Sequence, residues 1–148
     1  MSSFKKCGAD VRNILNETLT QFSCYQPLLD AKVTFDLLFA FAPVDETGDR
    51  TGPAISKNGV PALGIASKSN LKDRALGRAD CLVILDGDWW NDPDTEPKAR
   101  RALLDHELYH FMVVLDEMGP ELDSCKRPKI EIRLQHAVGW PPWSRTPA

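Results

Sequence analysis

The sequence predicts an α+β fold, and three observations support that prediction. A helical periodicity of apolar residues occupies residues 9–24, near the N-terminus. Two apolar stretches of strand length follow it, at residues 31–42 and 81–85. A second helical region begins near residue 98, and a strand-like alternation follows it from residue 129. We therefore expect an N-terminal helix, a small mixed sheet of about three to four strands, a second helix packed on the sheet, and a C-terminal hairpin.

The length and composition are those of one globular domain. The chain has 148 residues, 43% hydrophobic and 26% charged, so we expect residues 1–148 to form a single domain. A net charge of −3 and the lack of a long basic run argue against nucleic-acid binding. We find no export signal and no run long enough to cross a membrane, which predicts a cytoplasmic protein. The four scattered cysteines form no Cys-x-x-Cys pair, as is typical of reduced thiols.

The first helix is predicted by a face of side chains three or four residues apart. Asp10 stands near its start, and Pro27 prevents its continuation. The face consists of Val11, Ile14, Leu15, Thr18, Leu19 and Phe22.

Three segments are predicted to form the sheet. Residues 31–42 are rich in β-branched and aromatic side chains and end at Pro43. Residues 63–68 are predicted as a second strand, and the continuous apolar run at 81–85 suits a buried strand. Residues 44–60 are polar and contain glycine and proline, which predicts a loop.

The second helix has the clearest sequence signals. Asp94 or Thr95 can cap its start, and Pro97 is acceptable in its first turn. No helix-breaking residue occurs until Gly119. We therefore predict a helix over about residues 98–117.

Two further features lie on either side of this helix. Trp89 and Trp90 precede it, and we expect both to be packing anchors. Residues 129–135 alternate between apolar and polar side chains, which predicts a half-exposed strand. A hairpin can return this strand to the side of the helix.

Two of the three histidines lie four residues apart around a glutamate, in the segment His106-Glu107-Leu108-Tyr109-His110. A helix turns about 100° per residue, so both imidazoles can reach one metal ion. Zinc prefers such nitrogen ligands, and Glu107 is placed to take a proton from a water that the metal activates. Polar side chains within an otherwise apolar helix also need a partner, which a metal supplies. The segment therefore predicts a zinc site with Glu107 as general base.

A catalytic zinc site needs a third protein ligand, and several residues are candidates. Asp116 stands six residues after His110, where the metzincin pattern has its third histidine. On an unbroken helix, however, it lies about 9 Å further along the axis and about 120° away. Glu121 lies just past the predicted helix, and His136 ends the C-terminal strand. We favour His136 as the third ligand, with Asp116 and Glu121 as the main alternatives.

Beyond these residues, the chain resembles the phage metallopeptidases, small zincin-like proteins encoded by phages and prophages. The resemblance is carried by the apolar strand at residues 79–86, by Trp89-Trp90, and by the helical segment at residues 101–110. Its most specific part is Asp105-His106-Glu107-Leu108. The resemblance covers roughly residues 25–136.

The resemblance implies a minimal zincin fold and a zinc-dependent metallopeptidase acting on a protein or peptide substrate. It implies that His106 and His110 bind the metal and that Glu107 is the general base. His136 falls where the family has a histidine, which supports it as the third ligand. The resemblance also implies that Asp105 supports the site without binding the metal. If a phage encodes the protein, the host cytoplasm is its expected location.

A non-catalytic function is the alternative. The same scaffold could be a binding or inhibitor module that acts on a host protein, with structural zinc or none. Three protein ligands and an open coordination position favour an enzyme, whereas four protein ligands favour the binding module. An enzyme also needs a second donor for the oxyanion, for which Tyr25 and Arg133 are candidates.

Overall fold

Residues 2–133 are described in a computed structural model, and they have α+β architecture. The helices are α1 (Ala9–Gln21), α2 (Gln26–Asp30), α3 (Leu71–Ala75), α4 (Gly87–Trp90) and α5 (Pro97–Leu108), and a 3-10 helix at Ser23–Tyr25 joins the first two. The strands are β1 (Ser3–Lys6), β2 (Phe35–Phe41), β3 (Ile55–Lys57), β4 (Val60–Ala62), β5 (Gly64–Lys68), β6 (Cys81–Asp86), β7 (Phe111–Val113), β8 (Leu115–Asp116), β9 (Gly119–Pro120) and β10 (Ile130–Ile132). Within residues 2–133, no helix has the length and apolar character needed to cross a bilayer.

A four-stranded mixed sheet with the order β1-β2-β6-β5 forms the centre of the fold. β2 and β6 pair in parallel, and β1 and β5 join them as antiparallel edges. In β6, Cys81, Val83 and Leu85 are fully buried and the residues between them are half-buried, as expected for a central strand covered on both faces. The predicted α+β class and the small mixed sheet are confirmed.

The main core forms where α1 and α5 pack together against the sheet. Val11 and Leu15 of α1 and Leu104 and Leu108 of α5 are at most 1% exposed. Burial of each such side chain stabilises the fold by about 2 kcal/mol. These contacts hold the C-terminal half of α5 in a fixed position on the sheet. α1 itself ends at Gln21, slightly before its predicted end, because the next residue adopts extended backbone.

The second predicted helix is much shorter than expected. α5 ends at Leu108, not near residue 117. Tyr109 and His110 add one final turn, and the chain then becomes β7. Phe111 and Val113 are buried, and their strand pairs with β10. Backbone pairing and the burial of aromatic and β-branched side chains outweigh the helical propensity of this segment.

Several elements differ from the sequence prediction. The edge strand β1 was not predicted, and neither was α3. The predicted loop at 44–60 contains most of the β3–β4 hairpin, whose turn residues Asn58 and Gly59 have φ of 53° and 78°. Asn-Gly strongly favours this turn, so the hairpin was accessible to prediction. The residue that precedes α5 is Glu96, not Asp94 or Thr95.

The predicted C-terminal hairpin is present, but its first strand is β7, where helix was predicted, and its second strand is shorter than predicted. The strand predicted at residues 129–135 is β10, and it pairs in antiparallel fashion with β7. A second small hairpin, β8–β9, lies between them along the chain. The chain after β7 therefore returns alongside the end of α5.

A buried group of charged side chains fixes the segment that leads into β10. Asp80 is 1% exposed and accepts hydrogen bonds from the Thr34 amide at 2.9 Å and from Arg127 Nη2 at 2.7 Å. Arg74 pairs with Asp123 and lies 3.6 Å from Asp80. Burial alone would raise the pKa of Asp80, but the bonds from Arg127 and Thr34 outweigh it and hold that pKa below its usual value. The group thereby ties the start of β10 to the sheet.

Candidate metal centre

A cleft of about 830 Å³ lies between α5 and the edge strand β5. Ala99, Ala102 and Leu103 supply much of its apolar lining on the helix side. Trp89 also lines the cleft, whereas Trp90 is buried in the core at 3% exposure. The packing role predicted for the tryptophan pair is therefore borne out: Trp90 is part of the core, and Trp89 packs against it while it also lines the cleft.

The histidines and the glutamate of the predicted motif meet in this cleft. Ligand atoms of His106, Glu107 and His110 all lie within 4.8 Å of one another, the only such group of three among residues 2–133. The imidazole centroids are 5.3 Å apart and the rings are inclined by 78°. The final turn after α5 keeps the two histidines one turn apart, so the spacing that the sequence predicted survives the early end of the helix.

A backbone carbonyl orients the second imidazole. His110 Nδ1 lies 2.7 Å from the carbonyl oxygen of Arg133, which follows β10. A carbonyl can only accept, so Nδ1 carries the proton and Nε2 keeps its lone pair for a metal. Burial lowers the pKa of His110, which favours the neutral form that a metal requires.

The Glu107 carboxyl is enclosed by protein. The residue is 5% exposed, and burial raises its pKa from 4.5 to about 7, against a smaller opposing effect from Lys57. A carboxyl with a pKa near neutrality can both take up and release a proton at physiological pH. This is the behaviour expected of a general base that later acts as an acid.

The strand side of the cleft touches Glu107 directly at Gly64. A Cβ atom added to Gly64 would lie 2.9 Å from both Cγ and Oε1 of Glu107. Cβ atoms essentially never come so close to another atom, so any other residue at position 64 would force the Glu107 side chain to move. The glycine therefore sets where the Glu107 carboxylate can lie.

Asp105, which precedes the first histidine, is bound to Tyr25. The Tyr25 hydroxyl lies 2.5 Å from Asp105 Oδ1 and 2.9 Å from the Asp105 carbonyl oxygen. Tyr25 is 1% exposed, and burial followed by the Asp105 charge raises its pKa. The contact ties α5 to the 3-10 helix after α1, which agrees with a supporting role for Asp105.

The predicted third ligands have different outcomes. His136 lies outside the described residues. Asp116 is exposed on β8, where its carboxylate accepts a bond from the Met118 amide. Glu121 lies 3.8 Å from Lys129 Nζ. Although α5 ends early, neither acidic residue joins the group around the two imidazoles.

The two residues suggested as oxyanion donors do not line the described part of the cleft. Tyr25 is buried against Asp105, and the Arg133 guanidinium lies over the Tyr109 ring, 3.9 Å from its centroid. Among residues 2–133, Lys57 is the only lysine or arginine that lines the cleft. The sequence analysis did not predict that Lys57, Gly64 and the Arg133 carbonyl lie at this site. Each belongs to a segment that is far from the histidine–glutamate motif in the sequence.

The donor set suits a zinc ion. Two imidazoles are nitrogen donors of the kind that zinc accepts, and the Arg133 carbonyl holds His110 in the tautomer that leaves Nε2 as the donor. A buried carboxylate lies beside them, and a nearby cation would offset the cost of its charge.

Comparisons with known proteins do not assign the chain to a family. No protein-family model matches it, and neither curated proteins nor solved structures give a significant match.

Proposed function

We propose that this protein is a zinc-dependent peptidase. The observation that carries the proposal is the grouping of His106, Glu107 and His110 within 4.8 Å in a cleft where the Glu107 carboxyl is buried. His106 and His110 are the proposed metal ligands, and His136 remains the proposed third. The likeness to phage metallopeptidases agrees with these roles, and membership of that family is part of the proposal.

The strand beside the cleft favours an extended peptide as the substrate. β5 is an edge strand, and no strand among residues 2–133 pairs with its outer side. An extended chain could add to this edge through backbone hydrogen bonds, with its side chains meeting the apolar wall. The wall at Ala99, Ala102 and Leu103 suits an apolar side chain.

In the proposed reaction, His106 and His110 would hold a zinc ion, which would supply a Lewis acid for the scissile carbonyl and for the attacking water. Glu107 accepts a proton from that water and then donates it to the departing amine. The Arg133 carbonyl holds the His110 imidazole through Nδ1. The lack of a side chain at Gly64 leaves room for the Glu107 carboxyl at its position in the cleft.

The free thiols suit a reducing compartment, so the proposed location is the cytoplasm. All four cysteines are free. Cell fractionation with an antibody to the protein tests this, and recovery from a membrane or secreted fraction would contradict it.

Zinc content and cleavage together test the proposed function. We expect the purified protein to bind one zinc ion by elemental analysis and to cleave peptides in a tryptic digest of a cell lysate, read as new termini by mass spectrometry. The Glu107→Gln variant removes the proton acceptor and keeps the shape, so it should retain zinc and lose cleavage by a factor of at least about 100.

The controls separate the peptidase from a binding module. Glu46→Gln, in an exposed loop, should retain full cleavage. A wild-type protein that binds no zinc, or a Glu107→Gln variant that cleaves like wild type, would contradict the peptidase. Zinc held by four protein ligands without any cleavage would favour the binding module.

A further inference from the structure

The β3–β4 hairpin carries a lysine toward the cleft. Ile55 of β3 is 5% exposed and packs in a small core cluster that includes Ala40 and Ala54. Lys57 lies two residues further along the strand, so its side chain leaves the same face as that of Ile55. The burial of Ile55 at one end of β3 and the tight turn at Asn58–Gly59 after Lys57 fix the direction of this strand. Lys57 lines the cleft together with the histidine–glutamate group.

The charge of Lys57 lies in the same cleft as the proposed metal ligands. Lys57, His106, Glu107 and His110 all line this cleft, whose volume is about 830 Å³. In a cleft of this size, the ammonium group can act on a negative charge that forms on a bound peptide. No other lysine or arginine among residues 2–133 lines this cleft.

We propose that the Lys57 ammonium group stabilises the oxyanion formed during peptide hydrolysis, an inference that rests on the proposed function. Water attacks the carbonyl carbon, the π electron pair moves to the carbonyl oxygen, and Glu107 takes the water proton. Collapse of the tetrahedral species breaks the C–N bond, and Glu107 gives its proton to the amine. Lys57 exchanges no proton in these steps, and its ammonium group interacts most strongly while the oxygen is negative. It is therefore a catalytic residue that binds the transition state better than the substrate.

Two ligands distinguish this role from general substrate binding. The first is the peptide phosphonate carbobenzoxy-glycyl-phosphonyl-Leu-Ala, whose tetrahedral anion imitates the oxyanion. The second is the matching amide, carbobenzoxy-Gly-Leu-Ala, which is neutral at that position. Leucine is chosen because Leu103 and Ile132 line the cleft with apolar surface. Binding of both ligands to zinc-loaded protein is measured by calorimetry.

The variant Lys57→Met keeps the length of the side chain and removes its charge. We expect it to weaken phosphonate binding by about a hundredfold and amide binding by less than about twofold. Lys57→Arg should recover most of the phosphonate affinity. Lys5→Met is the matched control, because Lys5 lies on β1 at the opposite edge of the sheet, and it should change neither affinity.

Three results would overturn the assignment. Equal loss for phosphonate and amide, or no loss for either, would show that Lys57 does not act on the oxyanion. If zinc-loaded wild-type protein does not bind the phosphonate, the assignment of Lys57 to the oxyanion is also wrong. In these cases the proposed function stands if the wild type still cleaves peptides, whereas a protein that binds no zinc overturns both proposals.

Discussion

At the residue scale, the carboxyl of Glu107 meets two conflicting demands. Its burial favours the neutral form and raises its pKa to about 7, yet it must be charged to accept a proton. A metal ion held by His106 and His110, as proposed, would offset the cost of that charge. The same residue that serves the proposed reaction therefore destabilises the metal-free protein at alkaline pH.

The pH dependence of metal-free stability follows from this shift. Folding raises the pKa of Glu107 from 4.5 to about 7. Its contribution to stability is therefore complete below pH 4.5 and is lost as the pH rises through 7. Glutamine resembles the protonated form at every pH. Glu107→Gln should be more stable than wild type by on the order of 3 kcal/mol at pH 8.5, with little difference at pH 4.5.

Urea denaturation in the presence of a chelator measures this difference. The other titrating groups are the same in both proteins, so their contributions cancel in the difference between the two free energies of unfolding. Glu46→Gln serves as the control, and its stability should follow that of wild type at each pH. A constant gap between Glu107→Gln and wild type from pH 4.5 to 8.5 would contradict the account.

The site residues were predictable only where they are close in sequence. His106, Glu107 and His110 could be assigned to one group because their spacing alone brings them together on a helical turn. Lys57 and Gly64 reach the same cleft through strand pairing, which no local pattern records.

At the element scale, the close approach of β5 and α5 shapes the site. Gly64 touches the Glu107 side chain, and any Cβ there would meet Cγ and Oε1 at 2.9 Å. Strand β5 is held by its pairing with β6, and α5 is held by Leu104 and Leu108 in the core. Neither element can withdraw without loss of core packing, so a larger side chain displaces the carboxylate.

Replacement of this glycine should therefore impair the reaction. We expect Gly64→Ala to reduce kcat/KM on the order of a hundredfold, because misplacement of a reacting group by about 1 Å has that effect. Zinc affinity should change little, since the atoms nearest to a Cβ at position 64 all belong to Glu107 and none to an imidazole. Steady-state cleavage and zinc titration measure the two quantities. Ala66→Ser adds one atom two residues along the same strand and should retain activity; wild-type turnover in Gly64→Ala would show that the contact is unimportant.

The end of α5 illustrates what an element-scale prediction lacks. Residues 109–117 contain no helix breaker, so local propensity favours continuation. The outcome depends on β10, about twenty residues away, which pairs with Phe111–Val113. The end of β10 also brings the Arg133 carbonyl to His110. The pairing of β7 with β10 therefore both ends the helix and brings the carbonyl that orients the His110 imidazole.

At the scale of the whole molecule, the α+β class and the mixed sheet followed from the sequence, whereas the arrangement did not. β6 was recognisable from its continuous apolar run. The addition of β1 to β2 was not, because Ser3–Lys6 is short and exposed. Likewise, the sequence did not predict the buried group of charged side chains that joins distant segments, because each of them resembles an ordinary surface residue in the sequence. The group consists of Arg74, Asp80, Asp123 and Arg127.

The most direct test of the central claim is an anomalous-scattering map, collected at the zinc edge from crystals of the zinc-loaded protein. The account predicts one strong peak within bonding distance, about 2.0–2.1 Å, of ring nitrogens from both His106 and His110. The Glu107 carboxylate should lie next to the metal without replacing a histidine. No peak at this position, or zinc bound at another place in the chain, would contradict the proposed metal centre.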